Sequence, residues 1–161
     1  KNVYNFPKKN LFKLIYLKDG SFAGLTGCEF APSAINSIIV YNEHYQTVSK
    51  ADLKDINDII EINDGEILAL SEKKYIYIFK QKNFQLMNKI ELDLSKDDES
   101  SPNKIMKFSN GDIILFEFWK TIIRFYKIYE KDNLIDLKLV NNFIENSYLY
   151  DICETNNNQF A

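Results

Sequence analysis

The apolar positions of this chain fall into short runs that recur in one order behind a repeated turn signal. Asp19-Gly20, Asp64-Gly65 and Asn110-Gly111 are 45 and 46 residues apart, and a further step of 47 lands on Asn158 in an Asn triplet. Asp-Gly and Asn-Gly suit hairpins; in a type I′ turn both central residues take positive φ, which Asn and Gly tolerate. Before each turn stands an apolar pair three residues apart: Leu14 and Leu17, Ile59 and Ile62, Ile105 and Phe108, with Ile152 continuing the series. After each turn comes a second apolar run: Phe22-Ala23, Ile67 to Leu70, Ile113 to Phe116, and Phe160-Ala161. A third run reads apolar, variable, apolar, aromatic, at Ile38 to Tyr41, Ile76 to Phe79 and Ile123 to Tyr126. A looser fourth follows around Thr47 to Leu53, Gln85 to Leu92 and Asp136 to Val140.

Four short strands per unit with turn punctuation predict antiparallel four-stranded sheets. A period of about 45 residues holding four strands is that of a propeller blade. Helical repeats of similar length exist, but Gly at a fixed phase, alternation of period two and Ile/Tyr/Phe enrichment argue against helix. The expected fold is therefore all-β: one partial β-propeller domain over residues 1–161, with blades at approximately 10–53, 54–101 and 102–147 and the start of the next at 148–161. Three and a part blades do not close a ring, so the remainder is expected in a longer chain or a multi-subunit complex. The lack of an initiator Met agrees.

The segment from Asp58 through Gly65 to Ser71, followed by Tyr75-Ile76-Tyr77-Ile78-Phe79, resembles the core of a WD repeat. The resemblance implies an apolar strand a, a turn with Asp-Gly, a strand b ending near Ser and a strand c ending in an aromatic. Tyr41, Phe79 and Tyr126 fall where that family places Trp. The departures are specific. No Gly-His pair precedes strand a, Asp55 standing about where the His belongs, and Lys73 replaces the Asp of the b–c turn. The family's hydrogen-bond network of His, Ser, Asp and Trp is thus excluded, and apolar packing is expected to hold the blades. The resemblance implies a non-catalytic protein–protein interaction scaffold. The alternatives are a propeller-based hydrolase, with Glu61, Lys107 and Asp151 as the strand-a charges to inspect, or a regulatory propeller fused to a catalytic domain.

Composition narrows the function classes. A net charge of −3 and a single Arg, Arg124, give no basic footprint for nucleic acid. No apolar run approaches the roughly 18–20 residues of a membrane helix, so membrane insertion is not expected. Two distant cysteines, Cys28 and Cys153, read as free buried thiols of a reducing compartment. With no signal-peptide layout, a cytoplasmic setting is expected, cytoskeletal association being one form of it.

No catalytic residue, cofactor site or metal site is expected. His44, the only histidine, stands in a c–d turn with no second ligand nearby. Gly20, Gly24 and Gly27 lack the Lys-Ser/Thr of a phosphate loop. The acidic stretch Lys96 to Pro102 lacks EF-hand spacing and reads as a solvated connector, and Gly27 to Ser37 as a lengthened b–c loop. The exception is Glu117-Phe118-Trp119-Lys120-Thr121, which puts two large aromatics at the tip of a b–c turn. Phe118 and Trp119 are the candidate partner contact, since Trp and other aromatics concentrate in binding hot spots. The competing reading packs Trp119 onto a neighbouring blade.

Overall fold

The structure, a computed structural model, describes residues 10–27, 35–63, 65–72, 74–94, 102–117, 121–132, 134–145, 152–155 and 159–160. Its strands are β1 (Leu11–Tyr16), β2 (Phe22–Thr26), β3 (Ile35–Tyr41), β4 (Thr47–Lys54), β5 (Ile56–Asn63), β6 (Glu66–Ser71), β7 (Tyr75–Lys80), β8 (Leu86–Glu91), β9 (Lys104–Lys107), β10 (Ile113–Glu117), β11 (Thr121–Lys131), β12 (Leu134–Glu145), β13 (Glu154–Thr155) and β14 (Gln159–Phe160). They form three antiparallel four-stranded sheets, β1-β2-β3-β4, β5-β6-β7-β8 and β9-β10-β11-β12, and a two-stranded sheet β13-β14. The sheets are blades 1, 2 and 3 and the opening pair of blade 4. Each blade is a meander in which every strand pairs with its chain neighbour.

The turns account for the phase of the repeat and correct its expected chemistry. Gly20 N donates to Leu17 O at 3.0 Å and Leu17 N to Ser21 O at 2.9 Å; Gly111 N to Phe108 O and Phe108 N to Asp112 O repeat the pattern in blade 3. This is a three-residue loop, a type I turn closed by one left-handed residue, and not the two-residue type I′ turn. In blades 1 and 3 only the last loop residue needs positive φ, at Gly20 (88°) and Gly111 (89°), so Asp19 and Asn110 are free to cap the turn with their side chains; in blade 2 Asn63 pairs with Glu66, the register of a two-residue loop, and Gly65 has φ 78°. Asp19 accepts from Ser21 N, and Asn110 from Asp112 N, both at 2.9 Å.

The core lies between the blades. In β6, Ile67 and Ala69 pack toward blade 1 while Leu68 and Leu70 pack toward blade 3; in β7, Phe79 faces blade 1, and Ile76 and Ile78 face blade 3. In β10, Ile113 and Leu115 face blade 2, and Ile114 and Phe116 join Ile152 at the start of blade 4. The two middle strands therefore read as continuous apolar runs because both faces are dry. The apolar pairs before each turn divide the same way: Ile59, Ile105 and Ile152 point to the preceding blade, and Leu17, Ile62 and Phe108 to the following one.

One feature gave no clear signal in the residue pattern. In all three blades the pairing of strands c and d slips at the strand-c aromatic in the family's Trp position. The partners are Tyr41 with Thr47, Phe79 with Leu86 and Tyr126 with Leu139, leaving Val48, Met87 and Val140 as the extra bulge residues. A bulge twists an edge strand and disrupts its ladder locally, which discourages unwanted edge pairing.

Leu68 is fully buried between blades 2 and 3. Leu68→Ala is expected to lower unfolding stability by about 3 kcal/mol, read as a shift of the urea midpoint. A loss below about 1 kcal/mol would mean that this seam is not close-packed.

Candidate functional site: the blade seams and their clefts

Residues one period apart in sequence become neighbours across a seam. Counted back from the turn glycine, the seventh position is Lys13, Asp58 or Lys104 in successive blades. Asp58 is 1% exposed. Its Oδ1 accepts from the Lys13 ammonium of blade 1 and from Ile59 N at 2.9 Å, and its Oδ2 accepts from Ile105 N of blade 3 at 3.0 Å. One buried carboxylate thus ties three blades, and it is stable there because its lone pairs are filled by a cation and two amides.

The fourth position before the turn glycine reaches back to the preceding blade. Glu61 accepts from Lys18 N at 2.9 Å. Glu154 accepts from Ser109 N at 2.9 Å and Ser109 Oγ at 2.6 Å. Lys107 instead donates its ammonium to Ile62 O. Glu61 and Lys107 therefore serve as seam ties and do not converge on a shared centre, while Asp151 lies outside the described residues.

At the turn end of the 1/2 seam a cleft of about 630 Å³ opens, lined by Asp19, Ser21, Asn42, Glu43, Lys80 and Gln81 among others. Buried Gln81 donates its amide N–H to Asp19 Oδ2 at 2.7 Å and to Ser21 Oγ at 2.8 Å, while its backbone O accepts from Ser49 Oγ at 3.0 Å. Its Oε1 is buried without a partner among the described residues. Burial raises the Asp19 pKa, but hydrogen bonds from the Ser21 hydroxyl, the Ser21 amide and Gln81 outweigh it, and the net position is below the ordinary 3.8. A smaller cleft of about 290 Å³ repeats at the 2/3 seam beside Asn63, Lys107, Asn110, Asp112 and Lys127.

The aromatics in the family's Trp position, Tyr41, Phe79 and Tyr126, are all buried. Tyr126 has a buried hydroxyl with no hydrogen-bond partner among the described residues. Burial is the main reason that its pKa is pushed up to about 12, Arg124 lowering it and Asp93 raising it. Arg124 itself is buried.

The remaining sequence candidates divide plainly. His44 is exposed at the β3–β4 turn, 3.6 Å from Glu43. Cys153 is exposed, where a buried thiol was the expectation: it directly follows Ile152, which takes the buried place at the seam with blade 3. Among the described residues no group of three His, Cys, Asp or Glu side chains is placed to hold a metal ion, and no helix is long and apolar enough to cross a membrane. Phe118, Trp119, Lys73, Cys28 and most of the two long connectors lie outside the described residues. Sequence reasoning missed Asp58 and Gln81 as seam ties. The signal for the first was present, since opposite charges alternate at one phase of the repeat; Gln81 has no such repeat to mark it.

No protein-family model matches the chain, and no curated protein matches it in sequence. Solved structures do match its fold. The WD40 domain of SCAP from fission yeast superposes with a TM-score of 0.59 at 15% identity, over 91% of this chain and 36% of that one. KlHsv2 with loop 6CD replaced by a Gly-Ser linker gives 0.58 at 15% identity, over 86% of this chain and 46% of that one. The fold is thus an all-β partial propeller whose blades resemble those of WD40 domains. The chain spans less than half the length of either propeller chain.

Two outcomes are expected from these ties. Asp58→Ala, which strands the Lys13 ammonium and two amides, should lower stability by about 2–4 kcal/mol. Lys13→Met, which leaves the buried carboxylate without its counter-ion, should also be destabilising, by about 3 kcal/mol; a loss below about 1 kcal/mol for Asp58→Ala would contradict the three-blade role of Asp58. For Asp19, a depressed folded pKa means that its hydrogen bonds stabilise the fold above the ordinary value of 3.8 and that this contribution is lost as pH falls through the lower folded value. Ser21→Ala should move the Asp19 titration upward in a carboxyl NMR titration, and an unchanged curve would remove Ser21 as the cause.

Proposed function

We propose that the chain is part of a non-catalytic protein–protein interaction scaffold, a WD-repeat-like propeller within a larger protein or assembly. The observation that carries this reading is the use made of buried polar side chains. Asp58 and Gln81, together with Glu61, Lys107 and Glu154, bind neighbouring blades to one another. Their chemistry is spent on holding a rigid ring segment, and such a segment presents its loops in fixed relative positions. Fold alone does not assign function, so the likeness to the SCAP and KlHsv2 propellers supports the scaffold and not a particular partner. A cytoplasmic setting, with protein and not nucleic-acid partners, belongs to the same reading.

Within it, Phe118 and Trp119 are the partner contact. In sequence they follow Glu117, the last residue of β10, and precede Thr121, the first of β11. A pull-down with the full-length protein should recover a stable partner. The Phe118→Ala/Trp119→Ala double variant should weaken that partner by about 2 kcal/mol or more, roughly thirtyfold, with an unchanged melting temperature. Failure to recover any partner would remove the scaffold reading. A double variant that melts early would instead show the two rings packed on a neighbouring blade.

A further inference from the structure

The two clefts at the turn ends of the seams are not equivalent. Two residues past the buried strand-c aromatic stand Glu43, Gln81 and Ile128 in successive blades. In blade 3 strand β11 runs on to Lys131 and Ile128 packs against the core of the 2/3 seam, where the cleft is about 290 Å³. In blade 2 strand β7 stops at Lys80, and the cleft at the 1/2 seam is about 630 Å³. The walls of this larger cleft carry opposite charge: blade 1 contributes Asp19 and Glu43, and blade 2 contributes Lys80 and Lys82. Among the described residues neither lysine side chain makes a hydrogen bond or an ion pair, with these acids or with any other.

Between the two lysines Gln81 is 6% exposed, and only one end of its amide is used. The Asp19 carboxylate accepts and cannot donate, so the amide N–H must face it and the carbonyl Oε1 is the end left open. Asp19 takes three hydrogen bonds, from Ser21 N, Ser21 Oγ and Gln81 Nε2, and a carboxylate offers about four lone-pair sites. Gln81 and Asp19 thus leave acceptors open, while Lys80 and Lys82 leave donors open. An apolar side chain at this phase, such as Ile128 in blade 3, carries no buried carbonyl to leave unmatched.

We propose that the 1/2 cleft binds a dipolar ligand, one that carries an N–H cation and a carboxylate on a single small framework, as an α-amino acid does. The carboxylate pairs with Lys80 and Lys82 on the blade 2 wall, and the cation donates to Gln81 Oε1 and Asp19. A ligand with a single charge leaves one wall unmatched; a dipolar one gains charge-assisted hydrogen bonds at both. The cleft volume lies within the roughly 300–1,000 Å³ of small-molecule sites. Val48, 55% exposed, adds apolar surface to the lining. An adjacent basic–acidic residue pair in a partner polypeptide carries the same chemistry. The site goes beyond the scaffold reading and stands apart from Phe118 and Trp119, so loss of that contact leaves it intact.

The test is a ligand-observed NMR titration of the full-length polypeptide with L-leucine, N-acetyl-L-leucine, L-leucinamide and the blocked dipeptide N-acetyl-Lys-Glu-amide. L-leucine or the dipeptide is expected to bind saturably with a Kd of about 1 mM or tighter. N-acetyl-L-leucine, which lacks the cation, and L-leucinamide, which lacks the carboxylate, should each bind at least about tenfold more weakly than L-leucine. The Lys80→Ala/Lys82→Ala double variant should weaken binding at least about tenfold at an unchanged melting temperature, because both side chains are exposed and unpaired. Val48→Trp should do the same by filling the cleft without removing a charge. Tighter binding of the dipeptide than of L-leucine, lost in the lysine variant, assigns the ligand to a partner's chain, and the reverse order assigns it to a free amino acid. Absence of saturable binding by both would overturn the proposal. So would N-acetyl-L-leucine or L-leucinamide binding as tightly as L-leucine, which makes the cleft a site for one charge alone, or full affinity in the lysine variant.

Discussion

Every other feature of this molecule depends on burying both faces of a four-stranded sheet. A blade alone has one dry side at most. When it is stacked, Ile67 and Ala69 are sealed by blade 1 while Leu68 and Leu70 are sealed by blade 3. All four are fully buried within four consecutive residues of one strand. Apolar burial at roughly 25 cal/mol per Å² is thus collected chiefly between blades and not within them.

Apolar packing orders the blades only loosely, because one Ile-rich face fits another. The polar ties supply register. Asp58 cannot shift without exposing a buried carboxylate and freeing the amides of Ile59 and Ile105. Glu61 and Glu154 fix the turn of the blade before them through its backbone amides, and Glu154 also accepts from the Ser109 hydroxyl. A rigid segment of this kind suits a scaffold: its turns and loops are held at fixed spacing by contacts remote from any partner.

The site was legible in the residues to an uneven degree. Turn phase at 45 and 46 residues located the three turns, and the apolar pairs at Ile59 and Ile62, or Ile105 and Phe108, named residues that the structure buries. Turn type was misjudged in blades 1 and 3, because Asp-Gly and Asn-Gly serve a two-residue and a three-residue loop equally well; the choice depends on hydrogen bonds across the strands, such as Leu17 N to Ser21 O. The expectation that apolar packing alone holds these blades was incomplete for a related reason. Loss of the WD-repeat network removes one set of polar ties, and only the geometry of the seams shows another in its place.

The sequence by itself determined the repeat, the four strands of each blade and the two-sided burial of strands b and c, because turn residues and alternation act locally and leave their mark at fixed spacing. Tertiary structure alone decided which blade each apolar face meets, that Glu61 and Lys107 are seam ties, and where the c–d pairing slips. Those depend on distances between residues some 45 positions apart, which no local preference encodes and which exist only once one blade is stacked on the next.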